Sequence, residues 1–226
     1  MLPGGLAVED IGHKWLYWPW VTDHLDEIRA RLSEHVTLVL LALGFGLLIA
    51  LPLALLSARY RRVYGPTLAV TGVLYTIPSL AFFALLLPVT GLSRATAVIP
   101  LTTYTLLILV RNTVTGLDAV PPEVKEAAEA MGYSRTRQVL RVELPLALPA
   151  IITGIRIATV TTIGLVTVTA LVGQGGLGSL LLDGFNRDFR TPLTVGIVLS
   201  LGLAVVADLI LVVGLRVATP WARKRG

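Results

Sequence analysis

The chain contains no cysteine. That absence excludes a disulfide framework, thiolate metal ligands and a cysteine nucleophile, and it leaves the sequence without redox information. Charge is also scarce, at 15% of residues against 54% hydrophobic, and the mean hydropathy of +0.78 lies far above that of a soluble domain. The three histidines, at 13, 24 and 35, do not cluster. No metal site and no catalytic residue is therefore expected, because a membrane protease or transferase needs a nucleophile beside a base or a metal cluster. A phosphate-binding loop is missing too, so the chain is not expected to hydrolyse ATP by itself or to bind a cofactor. Met1 to Lys14 includes Glu9 and Asp10 and lacks a basic region leading into an apolar core, so it does not read as a cleavable signal peptide.

What the chain has in abundance is apolar length. A helix crosses the hydrocarbon core with about 20 mainly apolar residues. Five stretches meet that demand, at roughly 34–57, 67–90, 95–116, 146–172 and 192–216. The net charge of +5 distributes unevenly around them. One side carries Arg59, Arg61, Arg62, Arg111, Lys125, Arg135, Arg137, Arg141, Arg216, Arg223, Lys224 and Arg225. The other has Lys14, Arg29, Arg31, Arg94, Arg187 and Arg190. The richer side is cytoplasmic by the positive-inside rule, so the charge reports topology and not a nucleic-acid footprint. An odd number of spans then places the N-terminus outside, the C-terminus in the cytoplasm and residues 117–145 in a cytoplasmic loop. The expected organisation is an external segment 1–33, a transmembrane domain 34–216 and a basic cytoplasmic tail 217–226.

Before the first span, Trp15, Tyr17, Trp18 and Trp20 suit the headgroup region. Leu25, Ile28 and Leu32 follow at helical spacing among charges, which predicts an interfacial helix lying on the outer surface, an anchor or a contact site for an external partner. Trp221 is expected to anchor the opposite interface. Prolines 52, 78, 88, 100 and 149 lie in or near spans and can kink them. The two deepest charges are Arg156, ten residues into the fourth span, and Asp208, eight residues from the cytoplasmic end of the fifth; at 1.5 Å per residue their depths are roughly 15 and 12 Å. Similar depth and opposite sign predict a structural Arg156–Asp208 ion pair, against a snorkelling Arg156 or a substrate or gating role.

Two polar motifs interrupt the apolar pattern. In the first, Pro121-Pro122 can start a helix with Glu123 at its positive end, and Gly132 can stop it. Val124, Ala128 and Met131 share one face, and Ala127 and Ala128 keep side-chain volume low for close docking. Ser134 is placed to cap a second short helix ending before Leu144-Pro145, giving a helix-turn-helix knob. The second motif, Gly173-Gln174-Gly175-Gly176-Leu177-Gly178, formally contains the G-x-G-x-x-G dinucleotide pattern. That pattern needs a preceding strand, whereas this one follows a membrane span, so a flexible external turn or a short re-entrant gating element is expected instead.

Glu126, Ala127 and Ala128, then Gly132, then Leu144-Pro145 with Val142 in place of the usual isoleucine, resemble the Glu-Ala-Ala loop of ABC-importer permeases. Leu-Val-Gly-x-Gly-Gly-Leu-Gly at 171–178, Ile77-Pro78-Ser79-Leu80 and Arg111-Asn112-Thr113 before Gly116-Leu117 look like the glycine betaine, choline and carnitine branch. The resemblance covers about residues 34–216. It implies an all-α, type I ABC-importer permease with five transmembrane helices in a bacterial or archaeal cytoplasmic membrane. It further implies a second permease subunit, identical or paralogous, two ATP-binding subunits carrying ATP and Mg, and an extracytoplasmic substrate-binding protein. Glu126 would make polar contact with the ATPase, Ala127 and Ala128 would pack in its groove, Gly132 would turn the chain and Leu144-Pro145 would close the motif. The implied cargo is a small quaternary amine or betaine-like osmoprotectant. Tyr75, Phe82, Phe83 and Tyr104 are pathway candidates, because a quaternary ammonium lacks N–H donors and suits aromatic faces; Gly173, Gly175, Gly176 and Gly178 form a candidate external gate. Alternatives are an importer for another small zwitterion or amino acid, an ion-coupled secondary transporter, for which Asp208 is the clear intramembrane acid, and a membrane scaffold.

Overall fold

The structure, a computed structural model, describes residues 13–219, and every element in that range is helical or a turn. Glu9, Asp10, Trp221, Arg223, Lys224 and Arg225 lie outside the described residues. The order is α1 (Trp18–Asp23), α2 (Leu25–Arg59), α3 (Arg61–Thr76), α4 (Ser79–Thr90), α5 (Arg94–Asp118), α6 (Pro122–Ala130), α7 (Arg135–Gln138), a π turn (Val139–Glu143), α8 (Leu144–Val168), a 3-10 turn (Thr169–Val172), α9 (Leu177–Asn186) and α10 (Arg190–Ala218). Four helical stretches, Leu25–Arg59, Arg94–Asp118, Arg135–Val172 and Arg190–Ala218, are long and apolar enough to cross a membrane; a fifth results if α3 and α4 count as one broken span.

The span expected at 67–90, with Pro78 among the prolines able to kink it, is broken into two helices bent by 90° between α3 and α4. Pro78 explains the break: the residue before a proline is pushed out of the helical region, and Ile77 is extended at φ −62°, ψ 125°. Pro52, Pro66, Pro88, Pro100 and Pro149 all remain inside helices.

The expected separate interfacial helix is also corrected. Leu25, Ile28 and Leu32 are the opening turns of α2, whose 35 residues reach about 52 Å at 1.5 Å each, well beyond a hydrocarbon core of about 30 Å. Asp26 and Glu27 sit in its first turn and Arg59 in its last, each opposite in sign to the nearby end of the helix dipole.

The chain divides into two compact units, interleaved in sequence. The first comprises residues up to 42, 78–101 and 161–206. Its core is built on Ile28, Leu177 and Leu180, with Trp20, Leu32, Val195 and Leu199 packed against them. The aromatic segment is stapled here: Tyr17 N–H donates to Thr191 Oγ1 at 3.0 Å, Thr191 Oγ1 donates to the Lys14 carbonyl at 3.2 Å, and Trp20 stacks on His24 at 4.4 Å. Trp15 and Trp18 stay exposed.

The second unit comprises residues 43–77, 102–160 and those from 207 on. Leu117, Ala147 and Ile151 form its core with Leu51, Leu55 and Leu144. Close approach of α5 to α8 depends on missing side chains: a Cβ on Gly116 would lie 2.8 Å from Ala150 Cβ, and one on Gly154 would lie 2.6 Å from Asn112 Cβ. The expected end of a short helix before Leu144-Pro145 does not occur. The wider π turn carries the helix through, with Leu144 N–H donating to the Val139 carbonyl just ahead of Pro145, which has no N–H to place.

Candidate coupling and translocation sites

The knob is built from α6, a turn and α7. Pro122 occupies the first turn of α6 and Glu123 faces its positive end. The helix then ends in a Schellman turn, with Gly132 N–H donating to the Glu129 carbonyl at 2.9 Å and Tyr133 N–H to the Ala128 carbonyl at 3.1 Å. Gly132 supplies the left-handed backbone this requires, at φ +76°. Ser134 stands at the N-cap of α7 but its side chain makes no capping bond.

The four motif positions of the knob separate by exposure. Glu126, Ala127 and Gly132 are open to solvent, whereas Ala128 is 1% exposed. Ala128, which the resemblance places in the ATPase's groove, is thus covered by its own chain, unlike Ala127 beside it. Met131, expected on one face with Val124 and Ala128, is exposed. Leu144 and Pro145 are half-buried at the start of α8.

Beneath the knob lies a charge cluster that the motif does not contain. Glu143, 4% exposed, lies 3.8 Å from Lys125 Nζ and 3.5 Å from Arg135 Nη1. Lys125 Nζ also donates to the Leu117 carbonyl at 3.2 Å, and buried Gln138 donates through Nε2 to the Lys125 carbonyl at 3.5 Å. Asp118 pairs with Arg61 at 2.8 Å. A cavity of about 300 Å³ opens beside this cluster, lined in part by Leu55, Arg59, Leu117 and Leu140.

The glycine segment is not the flexible turn expected of it. Gly173, at φ +77°, closes the 3-10 turn in a second Schellman arrangement, with its N–H on the Ala170 carbonyl and Gln174 N–H on that of Thr169. Thr169 Oγ1 donates to the Gln174 carbonyl. Gly175, Gly176 and Gly178 are buried, and a Cβ on each would fall 2.3, 2.7 and 2.1 Å from Ala170, His35 and the Thr167 carbonyl. His35, fully buried, holds the segment's far end: its Nδ1 accepts from Leu177 N–H at 3.3 Å, so the proton sits on Nε2, which donates to the Ile163 carbonyl at 3.1 Å. The dinucleotide pattern is thus met by close packing, with α8 in the place where a strand would stand.

Among the pathway candidates, Tyr75 and Tyr104 meet edge to face at 5.9 Å and 87°, and Tyr104 Oη donates to the Ile77 carbonyl at 2.6 Å, beside the break after α3. Tyr104 is 4% exposed and Tyr75 39%. Phe82 and Phe83, on α4, are buried and present no open face. Arg156 of α8 and Asp208 of α10 form a bidentate pair, Nε to Oδ1 at 2.8 Å and Nη2 to Oδ2 at 2.9 Å. Neither Lys125 nor Glu143 stands out in the sequence; the one local signal able to find Glu143 is a carboxylate placed directly before the Leu-Pro pair, and none marks Lys125.

A set of long apolar helices carrying one polar helical knob defines a polytopic membrane component. The chain belongs to the family of inner-membrane components of binding-protein-dependent transport systems, whose family description matches residues 43–216. It is 37% identical over 197 residues to the osmoprotectant import permease protein OsmW of Salmonella typhimurium strain LT2, covering 85% of this chain and 92% of that protein. It is 35% identical to the choline transport system permease protein OpuBB of Bacillus subtilis strain 168, over 88% of this chain and 92% of that one. The fold is similar to that of a chain in an inward-facing structure of the MetNI methionine ABC transporter, with a TM-score of 0.77 over 90% of this chain and 100% of that one at 23% identity.

Proposed function

We propose that the chain is the permease subunit of an ATP-driven importer for a small quaternary-amine or betaine-like osmoprotectant such as choline, glycine betaine or carnitine. The observation that carries the cargo class is the agreement of its relatives, OsmW and OpuBB among them, on such solutes. In this reading five helices span the cytoplasmic membrane, counting α3 and α4 as one, with the N-terminus outside and the knob and C-terminus in the cytoplasm. The aromatic segment before α2 anchors the outer interface. A second permease subunit completes the pathway, and the barely buried surface of α10 offers it or the lipid a long apolar face. Two ATP-binding subunits, holding ATP and Mg, dock on the knob through Glu126, Ala127 and the Gly132 turn. A substrate-binding protein delivers cargo from outside.

Transport follows by alternating access. ATP binding closes the ATPase pair, the knobs move with it, and the helices exchange inward and outward openings. The exposed flank of Tyr75 is the best-placed aromatic surface for a passing ammonium, while the packed segment Gly173–Gly178 serves as an outer stop. The Arg156–Asp208 pair holds α8 to α10 in this scheme.

Reconstitution with the binding protein and ATPase provides the test. A trimethylammonium solute should stimulate ATP turnover and uptake, and polar amino acids should do little. Stimulation by methionine or a sugar, with none by any betaine-like solute, would overturn the cargo class. Glu126→Arg should abolish ATPase co-purification while membrane insertion survives; normal ATP-dependent transport in that variant would overturn the docking assignment.

A further inference from the structure

Glu143 is the one carboxylate buried among the described residues, and two cations from separate parts of the knob converge on it. Lys125 comes from α6 and Arg135 from α7, while Glu143 itself closes the π turn that runs into α8. Lys125 has a second partner, the Leu117 carbonyl in the last turn of α5, where a cation also meets the negative end of the helix dipole. One ammonium therefore touches both the helix that leaves the membrane domain for the knob and the helical segment that returns to it. The contacts of Glu143 with Lys125 and Arg135, at 3.8 and 3.5 Å, are longer than direct hydrogen bonds, so charge attraction and not tight geometry joins them.

We propose that Lys125 and Glu143 form a brace that turns displacement of the knob into displacement of α5 and α8, so that Glu143 is a positioning residue for energy coupling and not part of the ATPase-docking surface. The physical reason is leverage. The exposed positions, Glu126 and Ala127, lie on α6, whose Schellman turn alone joins it to α7 by backbone. By backbone α6 joins α5 only through residues 119–121, so a load applied to α6 would be spent in bending that connection and the Schellman turn unless a side-chain link ties α6 to the membrane helices. Lys125, next to Glu126 in sequence, supplies that link to both of them.

The inference rests on the importer reading, and the experiment separates the two. Solute moved per ATP hydrolysed is measured in liposomes for the wild-type complex and for Glu143→Gln, Lys125→Met, their double variant and Lys125→Arg. The ATPase should still co-purify with Glu143→Gln and Lys125→Met while the transport-to-hydrolysis ratio falls severalfold in each. The double variant should be no worse than the worse single, since both cut one link, and Lys125→Arg should retain most of the ratio. An unchanged ratio in either single, multiplied losses in the double, or loss of ATPase co-purification would overturn the brace. Should Glu143→Gln fail to fold, Lys125→Met decides alone, because Lys125 is partly exposed and Arg135 still pairs with the buried Glu143 carboxylate. Absence of solute-stimulated ATP turnover in the wild-type complex would instead overturn the importer reading.

Discussion

The two glycine-closed turns of this protein solve the same backbone problem under opposite conditions. Both end a helical segment in a Schellman arrangement, at Gly132 in the knob and at Gly173 in the segment before α9. Around Gly132 nothing would meet an added Cβ within 4 Å, whereas the residues after Gly173 are packed until Gly178 leaves 2.1 Å to the Thr167 carbonyl. The knob needs glycine for its dihedral angles alone. The 173–178 segment also needs glycine because neighbouring backbone occupies the space. The first turn stays open to solvent, and the second packs against its own unit.

The largest effect that would break this contrast is expected at Gly178. Gly178→Ala drives a methyl group into the Thr167 backbone, which cannot swing aside like a side chain, so folded yield in detergent should collapse. A normal thermal transition in that variant would refute the crowding argument. Next in size are the singles Arg156→Ala and Asp208→Ala, each of which strands a partner now held by two hydrogen bonds. Both should lower folded yield in the membrane severalfold, and the swap Arg156→Asp with Asp208→Arg should recover part of it; a swap no better than its singles would argue against a structural pair.

Within the knob the contrast sharpens between neighbours. Ala128→Leu overfills a buried position and should cost about 1–3 kcal/mol in a chemical-denaturation or thermal assay. Ala127→Leu, exposed, should leave stability unchanged and weaken ATPase co-purification only. Slightly smaller than the Ala128 effect, Gly132→Ala should cost about 1–2 kcal/mol for its left-handed backbone. Gly132→Asn should cost less, because asparagine tolerates that region, and equal losses would show that space, not φ, fixes the glycine.

The sequence made the apolar elements and the knob legible because both depend on near-neighbour chemistry. Span length follows from apolar run length, and the stop at Gly132 follows from one residue's freedom. The 90° break at Ile77-Pro78 was harder, since five other prolines sit inside helices and nothing local separates Pro78 from them. The Ile77 carbonyl freed there is met by Tyr104, 27 residues away, which the local pattern cannot announce. The burial of Ala128 and the packing of the glycine segment escaped for a related reason: small residues look alike whether they admit a partner or an adjacent stretch of the same chain. Arg156 and Asp208 could be paired in advance because matched depth in a bilayer is a one-dimensional quantity that counting residues supplies.

The π turn at Val139–Glu143 sets a bearing as well as a path. In an α-helix each residue advances the azimuth by about 100°. A turn closed over five residues instead of four shifts the phase of everything ahead of it relative to α8. The phase between the knob and α8 is therefore set by one residue's worth of winding, and deleting a single residue between Val139 and Glu143 should rotate α7 about the α8 axis and part Glu143 from Lys125.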